Sequence, residues 1–335
     1  MNMYKKNTYS ILNSINYYSK FKSNSIKLNN VISNKYITNY NLRNKLLHKE
    51  LPIRLAHRIN DLQLLPYNFL KNKNMSYIFD LYINSFDILY NYNLKENDLN
   101  YINLLNQILI THENIEEKIA YSIYEFKNRN NIIISSDLIN INKILNNFYM
   151  SRLGIRFLVK QHLKLYNDNS HNIKICNNNF GIINNKCNIY NNLKKTIDKI
   201  DLTLNYHNLN NNIIYNIDCN KNLTACYIDS HIEYILYEIL KNSVIANLNF
   251  NKKKINIKID KQENEIIIKI SDFGGGLSRK TLDRIYDFTY TTHKLCKNKI
   301  PINGYGHGLG LSRIYCRYFG GDLILIPFKC LLNTF

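Results

Sequence analysis

Two side chains in the stretch HIEYILYEILKNSVIANL, Glu238 and Asn242, could act together on a phosphorylated ligand. The apolar spacing of this stretch predicts a helix, and residues four apart lie on the same face of a helix. A carboxylate can take a proton from a hydroxyl group, and an amide oxygen can bind Mg²⁺, a cation that takes few protein ligands. By itself such a pair is more often an ordinary exposed helix face, so its interpretation depends on the neighbouring motifs.

A glycine-rich turn, Asp272-Phe273-Gly274-Gly275-Gly276, directly follows an apolar run that is typical of a strand. Glycines let the backbone turn sharply and approach a planar ligand, and an Asp at a strand end can accept a hydrogen bond from an amine such as that of adenine. The alternative is a glycine-rich turn in which the Asp only caps the backbone. The turn alone favours neither interpretation.

The letters Asp272-Phe273-Gly274 also occur in eukaryotic protein kinases, where the Asp holds magnesium. Those enzymes carry a G-x-G-x-x-G-x-V loop and an H-R-D catalytic loop upstream of that Asp. Neither motif occurs before Asp272 in this sequence. The sequence therefore excludes that kinase fold.

A second glycine-rich segment, GYGHGLGLSRIYCRYFGGDL (304–323), has glycines at 304, 306, 308 and 310 and leads straight into a predicted helix that Gly320-Gly321 closes. Backbone N–H groups at a helix start can cradle phosphate. A lone G-x-G-x-G pattern is weak, but its position before a helix strengthens it. The three motifs in this order are much more specific than any one of them.

The periodicity of the chain changes once, and this change predicts two domains. From residue 50 to about 207 the apolar spacing is helical, and the residues from Ile102 to Phe126 form one stripe that predicts a core-facing helix. Long helices with few prolines predict an antiparallel bundle. After residue 212, KKKINIKID alternates Ile255, Ile257 and Ile259, which predicts a strand with one buried face. We therefore predict a boundary near residue 210 and an α/β C-terminal part.

The chain has 335 residues and a formal charge of +19, from 44 Lys+Arg and 25 Asp+Glu. Nine of the basic residues and no acidic residue lie in residues 1–49, so about half of the excess is local. This segment resembles an organellar transit peptide, with a disordered basic tail as the alternative. The charge alone would suggest a polyanionic partner such as nucleic acid, but nucleic-acid binding ranks last among the candidate functions because the excess is concentrated in this segment.

Seven cysteines at irregular spacings, without a C-x-x-C pair, predict reduced thiols rather than a disulfide framework or a zinc site. No run of about 18 apolar residues occurs, so the sequence predicts no membrane span.

The three motifs resemble the N, G1 and G2 boxes of the GHKL ATPase superfamily. The segments ELPIRLAHRINDLQLLPY (50–67), SRLGIRFLVKQH (151–162), EYILYEILKN (233–242) and the 304–323 segment resemble the mitochondrial 2-oxoacid dehydrogenase kinases. Details such as Ala56-His57-Arg58 are nearer the branched-chain member than the pyruvate members. The likeness covers about residues 46–325.

The resemblance implies an α/β two-domain fold. Residues 1–45 would be the transit-peptide-like segment, 46–210 a four-helix-bundle regulatory domain, and 211–335 a GHKL (Bergerat) α/β sandwich that binds ATP. It also implies that Glu238 is the general base and that Asn242 holds Mg²⁺. The remaining nucleotide-binding positions that it implies are Asp272 for the adenine amine, Gly274 and Gly276 beside it, Thr291 and Thr292 after G1, and Gly304, Gly306, Gly308 and Leu309 in the lid.

The function implied by the resemblance is transfer of the ATP γ-phosphate to a serine of the E1 α subunit of a branched-chain or pyruvate dehydrogenase complex, which inactivates the complex. The cofactors would be ATP and Mg²⁺, with K⁺ as a further ion. The partners would be E1 α and the lipoyl-bearing E2 core, with a homodimer as the assembly, in the mitochondrial matrix and without nucleic acid or a membrane span.

Several positions depart from the family pattern. Ile245 stands where the family has an arginine, Gly310 stands where its lid has a proline, and Tyr234 stands where some members have a histidine. The family's G-x-G-T segment and C-terminal tail are not in the sequence, so we expect a truncated chain or an incomplete nucleotide domain. A catalytically silent scaffold that binds the E2 core is therefore an alternative function.

A sensor histidine kinase is a further alternative, because HKELP at His48 superficially resembles a phosphoacceptor box. The residues that follow His48 continue the dehydrogenase kinase pattern instead, so we expect His48 to be exposed and without a role. His162 and His231 lie on apolar helices, which predicts core positions for both.

Overall fold

The structure is a computed structural model that describes residues 2–24, 31, 33–129, 135–170, 179–209, 212–263, 265–291 and 306–327. The chain divides into two compact units, Met1–Ile182 and Ile183–Phe335. The first unit contains the helices α1 (Asn2–Tyr18), α2 (Asn34–Thr38), α3 (Tyr40–Gln63), α4 (Tyr67–Leu70), α5 (Lys73–Tyr90), α6 (Leu99–Thr111), α7 (Ile115–Arg129) and α8 (Ser135–Ser170) and the short strand β1 (Asn179–Phe180).

The long helices of the first unit pack against one another around an apolar core. Helix α3 packs against α5 and α8, α5 also packs against α7, and α6 packs against α8. Ile59, Phe86, Leu145 and Phe148 are fully buried between them. Burying one such side chain contributes about 1.5–3 kcal/mol. The predicted N-terminal helical domain is confirmed.

The apolar stripe from Ile102 to Phe126 does not form one helix, as we predicted, but two. Helix α6 ends at Thr111 and α7 begins at Ile115, with Asn114 between them at φ 58°. The ring of His112 turns into the core, where its Nε2 lies 2.8 Å from Ser85 Oγ. The carbonyl of His112 accepts a hydrogen bond from Arg152. These contacts hold the turn, and asparagine tolerates the left-handed backbone that the turn requires.

Part of the predicted transit-peptide-like segment 1–45 is packed into the helical unit. Ile15, Ile37 and Arg43 are buried, and α1 packs against α3. Asn24 donates hydrogen bonds from its backbone N and its Nδ2 to the carboxylate of Glu50, at 2.8 and 3.0 Å. Removal of all of residues 1–45 would therefore expose apolar side chains of the core.

The second unit contains helices and the strands of two small sheets. In chain order they are β2 (Ile183–Asn188), α9 (Ile189–Tyr206), β3 (Ile214–Cys219), β4 (Thr224–Tyr227), α10 (Asp229–Asn249), β5 (Lys254–Lys261), β6 (Ile266–Ser271), α11 (Arg279–Leu282) and α12 (Gly308–Tyr318). Strands β2 and β4 pair antiparallel. Strand β5 lies in the centre of the other sheet, parallel to β3 and antiparallel to β6.

The core of the second unit lies between this β3–β5–β6 sheet and helices α9 and α10. Ile255, Ile257 and Ile259 of β5 are 0, 1 and 4% exposed and share one cluster with Leu193 of α9 and Leu240 of α10. The predicted half-buried strand is confirmed. The α/β fold of the C-terminal part is confirmed with it.

The division between the units lies at residue 182, earlier than the predicted position near 210. Helix α9 packs against α10, and its apolar face lies in the core of the second unit. Its helical periodicity made α9 indistinguishable from the helices of the first unit. Periodicity identifies a helix but not the core into which it packs.

The structure tests the predicted exposure of His48 and the predicted core positions of His162 and His231. His162 and His231 are buried, at 0 and 8% exposure, as predicted. His48 is half-buried rather than exposed, because its Nε2 lies 2.8 Å from the carbonyl oxygen of Tyr92.

Cys187, Cys219, Cys226 and Cys316 are free thiols. None of the described helices combines the length and the apolar composition that a membrane span requires.

Candidate functional site

Helix α10 carries Glu238 and Asn242 on the face that is turned away from the sheet. Leu236, Leu240 and Val244 are buried in the core of the unit, whereas Glu238 and Asn242 are half-buried. The apolar side of the helix is thus used for packing, and one turn of its other side presents a carboxylate and an amide. Both side chains are thus kept out of the core of the unit.

The carboxylate of Glu238 is paired with Lys241, which the sequence reasoning missed. Lys241 Nζ lies 2.8 Å from both Oε1 and Oε2 of Glu238, and the two side chains are 9 and 14% exposed. The ammonium also lies over the ring of Tyr237, 5.2 Å from its centroid. The i,i+3 spacing of Glu and Lys was a signal for this pair, although such pairs are common on exposed helix faces.

The first residue of helix α12, Gly308, lies directly against the Glu238 carboxylate. A Cβ atom at this position would overlap Oε2 of Glu238. Helices α10 and α12 pack against each other, which brings the start of α12 to Glu238. The N-terminus of a helix carries partial positive charge, so the carboxylate is favoured there.

The turn at Asp272 is held against α10 by a buried amide. Asn247 is fully buried, accepts a hydrogen bond from Phe273 N at 2.9 Å and donates one to Lys254 O at 2.9 Å. Gly274 packs so closely on Ala246 that a Cβ atom would overlap it. Asp272 Oδ1 accepts a hydrogen bond from Gly274 N at 3.0 Å.

The sequence offered one signal for Asn247, a polar residue on the apolar face of a predicted helix. The two glycines that follow Gly274, Gly275 and Gly276, adopt φ values of 80° and 73°.

The segment after α11 meets the start of the lid region, residues 306–310. A Cβ atom at Gly306 would lie 2.9 Å from the Cβ atom of Thr291 and from the carbonyl oxygen of Tyr290. Thr291 and Leu309 are half-buried. Thr292 and Gly304 lie outside the described residues.

An aromatic cluster fixes α12 on α10. The ring centroids of Tyr315 and His231 are 4.7 Å apart, and those of Tyr315 and Tyr234 are 4.9 Å apart. Phe319 adds a contact to Tyr227 at 5.3 Å. Tyr234, one of the departures from the family pattern that the resemblance implied, therefore contributes to the packing of α12.

The far end of α12 is held by Asp322. Its carboxylate accepts hydrogen bonds from Arg313 and Arg317, with Nε–Oδ1 distances of 2.8 and 3.0 Å. These bonds hold the pKa of Asp322 well below its usual range. Tyr286 OH donates to Leu323 O at 2.8 Å, which joins this end to the segment after α11.

The structure thus brings three predicted motifs to one side of α10. Glu238 meets Gly308, Gly274 meets Ala246 four residues after Asn242, and Thr291 meets Gly306. Among the described residues, no group of three or more His, Cys, Asp or Glu side chains could hold a metal ion. A metal at Asn242 would therefore need phosphate and water oxygens, which is how Mg²⁺ is usually bound with a nucleotide. These residues fit a nucleotide with Mg²⁺.

Comparison with known proteins agrees with this geometry. Residues 28–184 match the family model described as "Mitochondrial branched-chain alpha-ketoacid dehydrogenase kinase", and residues 228–326 match "Histidine kinase-, DNA gyrase B-, and HSP90-like ATPase". The second match covers Glu238, Asp272 and Gly308. The predicted GHKL domain is confirmed, and with it the binding of ATP.

Curated relatives match most of the chain. The mitochondrial [pyruvate dehydrogenase (acetyl-transferring)] kinase of Drosophila melanogaster is 30% identical over 84% of this chain and 72% of its own length. The Arabidopsis thaliana kinase of the same name is 29% identical over 94% of this chain and 86% of its own. Isozyme 3 of Mus musculus is 29% identical over 83% and 71%.

These relatives are all named as mitochondrial enzymes, which agrees with the basic, acid-free start of the chain. Their names describe protein kinases, and the two matching family models cover residues 28–184 and 228–326, which are parts of both units. The chain belongs to the family of mitochondrial 2-oxoacid dehydrogenase kinases, protein kinases with a GHKL nucleotide domain.

Proposed function

We propose that this protein is a serine kinase that transfers the γ-phosphate of ATP to the E1 α subunit of a mitochondrial 2-oxoacid dehydrogenase complex and thereby inactivates it. The observation that supports this most directly is the contact between Glu238 and Gly308, because it places a carboxylate at the start of helix α12. A base at this point stands beside the place where the helix N-terminus can receive phosphate.

Glu238 is the proposed general base. The serine oxygen attacks the γ-phosphorus, the bond from that phosphorus to the β-phosphate oxygen breaks, and Glu238 takes the serine proton. The products are phosphoserine and ADP. The protein contributes positions and charge, since this type of transfer needs no covalent enzyme intermediate.

Asp272 is the proposed acceptor for the adenine amine. Its Oδ1 already accepts from Gly274 N, which orients the carboxylate and leaves Oδ2 as the acceptor for the base. Gly274 and Gly276 shape the turn around it. Thr291 and Thr292 are proposed to line the nucleotide site. The proposed lid over the phosphates consists of Gly304, Gly306, Gly308 and Leu309.

Asn242 is the proposed protein ligand of Mg²⁺, which when bound neutralises the negative charge of the phosphates. It lies one helical turn after Glu238 and is half-buried on the same helix face. The requirement for K⁺ stays a prediction, which replacement of K⁺ by Na⁺ in the assay checks.

The choice of complex is part of the proposal. The relatives are named as pyruvate dehydrogenase kinases, whereas the model that matches residues 28–184 is described by the branched-chain enzyme. We propose the pyruvate complex first, because full-length relatives share more of the chain than one domain model does. Binding to the lipoyl-bearing E2 core, assembly as a homodimer and residence in the mitochondrial matrix belong to the same proposal.

The test is incubation of the purified chain with pyruvate dehydrogenase E1, and separately with branched-chain E1, in the presence of labelled ATP and Mg²⁺. We expect serine phosphate on one α subunit and a matching loss of dehydrogenase activity. The variant Glu238→Gln should lower the transfer rate by about 10²–10⁴-fold. It should bind nucleotide like the wild type. Glu233→Gln, a half-buried carboxylate on the same helix, is the matched control and should keep the rate.

Two outcomes would contradict the proposal. If neither the pyruvate E1 nor the branched-chain E1 carries phosphoserine under conditions in which nucleotide binds, the result would favour the silent scaffold that binds E2. Acid-labile phosphate on His48 would favour a histidine kinase.

A further inference from the structure

We propose that Lys241 is a positioning residue that orients the Glu238 carboxylate for proton transfer. This inference rests on the proposed role of Glu238 as the base. It names a residue on which the proposed phosphoryl transfer depends without contact to the reacting atoms.

Lys241 and Glu238 form a symmetric and well-shielded ion pair. Lys241 Nζ lies 2.8 Å from each carboxylate oxygen of Glu238, so the ammonium faces the carboxylate symmetrically. The Lys241 side chain is 9% exposed and the Glu238 side chain 14%. A pair so well shielded from water is held more firmly than a pair on an open helix face.

The ring of Tyr237 supports the position of the Lys241 ammonium. Its ammonium lies 5.2 Å from the centroid of the Tyr237 ring, and the Tyr237 hydroxyl oxygen lies 3.3 Å from Thr203 Oγ1 of helix α9. The ring is thus attached to a neighbouring helix of the same unit. A cation near an aromatic face is stabilised by the ring electrons, so Tyr237 favours this position of the ammonium.

The ion pair with Lys241 fixes the position of the Glu238 carboxylate. Its Oε2 lies against Gly308, where no side chain separates the carboxylate from the start of α12. Without Lys241, the carboxylate would keep the helix start but lose its cation and turn toward water, because a shielded charge needs a partner. A base displaced by about 1 Å can lose about 10²-fold in rate. Lys241 therefore keeps Glu238 at the point where the serine proton is released.

The experiment compares Lys241→Met, Lys241→Arg and Glu238→Gln, together with the double variant Glu238→Gln/Lys241→Met. Transfer to E1 α is measured as kcat and as KM for ATP, and binding of a non-hydrolysable ATP analogue is measured separately. Lys199→Met is the matched control, because Lys199 is exposed and its ammonium lies 4.9 Å from the centroid of the same Tyr237 ring.

For Lys241→Met we expect kcat to fall by about 10²-fold, while KM for ATP and analogue binding stay within about twofold. Lys241→Arg should recover part of kcat, because a cation is restored. The double variant should be no slower than Glu238→Gln alone, and Lys199→Met should match the wild type. If Lys241→Met does not fold, Lys241→Gln replaces it, with the same loss expected because the charge is gone.

The inference is overturned if analogue binding weakens while kcat holds, because Lys241 would then contact the phosphates. It is also overturned if kcat is unchanged or if the double variant shows two independent losses. Full activity of Glu238→Gln is a separate result, since it would remove the proposed base, whereas an inactive Glu238→Gln beside a fully active Lys241→Met would remove only this inference.

Discussion

The two units bury charged groups in contrasting ways. In the helical unit, Arg152 is 3% exposed and is surrounded by side chains and carbonyls of other elements, donating to Glu116 at 2.8 Å and to the His112 carbonyl. In the second unit, which contains the nucleotide domain, Glu238 faces Lys241 and Gly308. The neighbouring helix α12 offers no side chain at this place. The first arrangement joins several helices, whereas the second joins a carboxylate to one lysine and to the start of a helix.

The pKa directions at Arg152 and His112 describe the first arrangement further. Burial alone would lower the pKa of Arg152, but Tyr82 and Glu116 raise it above its usual range. Burial and the neighbouring Arg152 lower the pKa of His112 to about 3. A buried cation beside a neutral imidazole is a rigid, fully paired network. We infer that the Arg152 network serves the stability of the helical unit, whereas the Glu238 pair serves the chemistry proposed for the second unit.

The largest expected effect breaks the first arrangement. Arg152→Met removes the cation from a buried network and leaves the His112 carbonyl and Glu116 without their donor. We expect a loss of about 3–5 kcal/mol in the free energy of unfolding, measured with urea. Lys164→Met, on the same helix, removes an exposed pair with Asp168 and should cost less than about 1 kcal/mol. Equal losses for the two variants would show that burial of Arg152 does not matter.

The next largest effect comes from a substitution that disturbs the second arrangement. Gly308→Ala puts a Cβ atom where Glu238 Oε2 now lies. We expect kcat to fall by about 10²-fold, because the carboxylate is displaced, with little change in the melting temperature. Gly321→Ala, beyond the other end of α12, meets only Cys316 O at 3.3 Å and should retain most of the activity. An active Gly308→Ala would contradict the role assigned to this contact.

A pH effect should arise in the helical unit. The pKa of His112 and that of His162 fall from 6.5 to about 3, mainly because both rings are buried. The unfolded chain therefore takes up protons near pH 6.5 that the folded chain refuses, so stability is complete above that pH and falls below it. Between about pH 7.5 and 5.5 each histidine should cost about 1.4 kcal/mol.

His162→Gln should remove about half of this dependence in urea unfolding measured at both pH values. A stability that is independent of pH over this range would contradict the assignment of neutral rings.

The smallest expected effect concerns the far end of α12. Asp322→Asn weakens the bonds to Arg313 and Arg317, whose side chains are 27 and 44% exposed. Because the pKa of Asp322 is depressed, its contribution is present above about pH 4 and is lost as the pH falls further. Solvent screening limits the loss to less than about 1 kcal/mol at neutral pH, and high salt should reduce it. A larger loss would indicate that this end of α12 is as rigid as the Arg152 network.

Much of the fold could be predicted because it depends on local patterns. The alternation at Ile255, Ile257 and Ile259 predicted β5, and the glycine pair at 320–321 predicted the end of α12. The stripe from Ile102 to Phe126 misled us, because the turn at His112 depends on Ser85 and Arg152, which lie on other helices. A spacing rule does not contain such distant partners.

The candidate site shows the same division. Its predicted residues were found through motifs, whereas Lys241 and Asn247 became visible only in the structure. Lys241 differs from many other helix lysines by being buried beside Glu238, and Asn247 by holding the Asp272 turn. Burial and partners follow from packing, so the letters alone did not separate these two residues from their neighbours.

The sequence by itself determined the helical character of the first part of the chain, strand β5 and the end of α12, because backbone preference and apolar period are local properties. It also supplied the glycine and carboxylate positions that are proposed to serve a nucleotide. Only the tertiary structure decided that α9 belongs to the second core and that Gly308 meets Glu238. The physical reason is that these contacts join segments far apart in the chain, and their geometry depends on how whole helices and sheets pack.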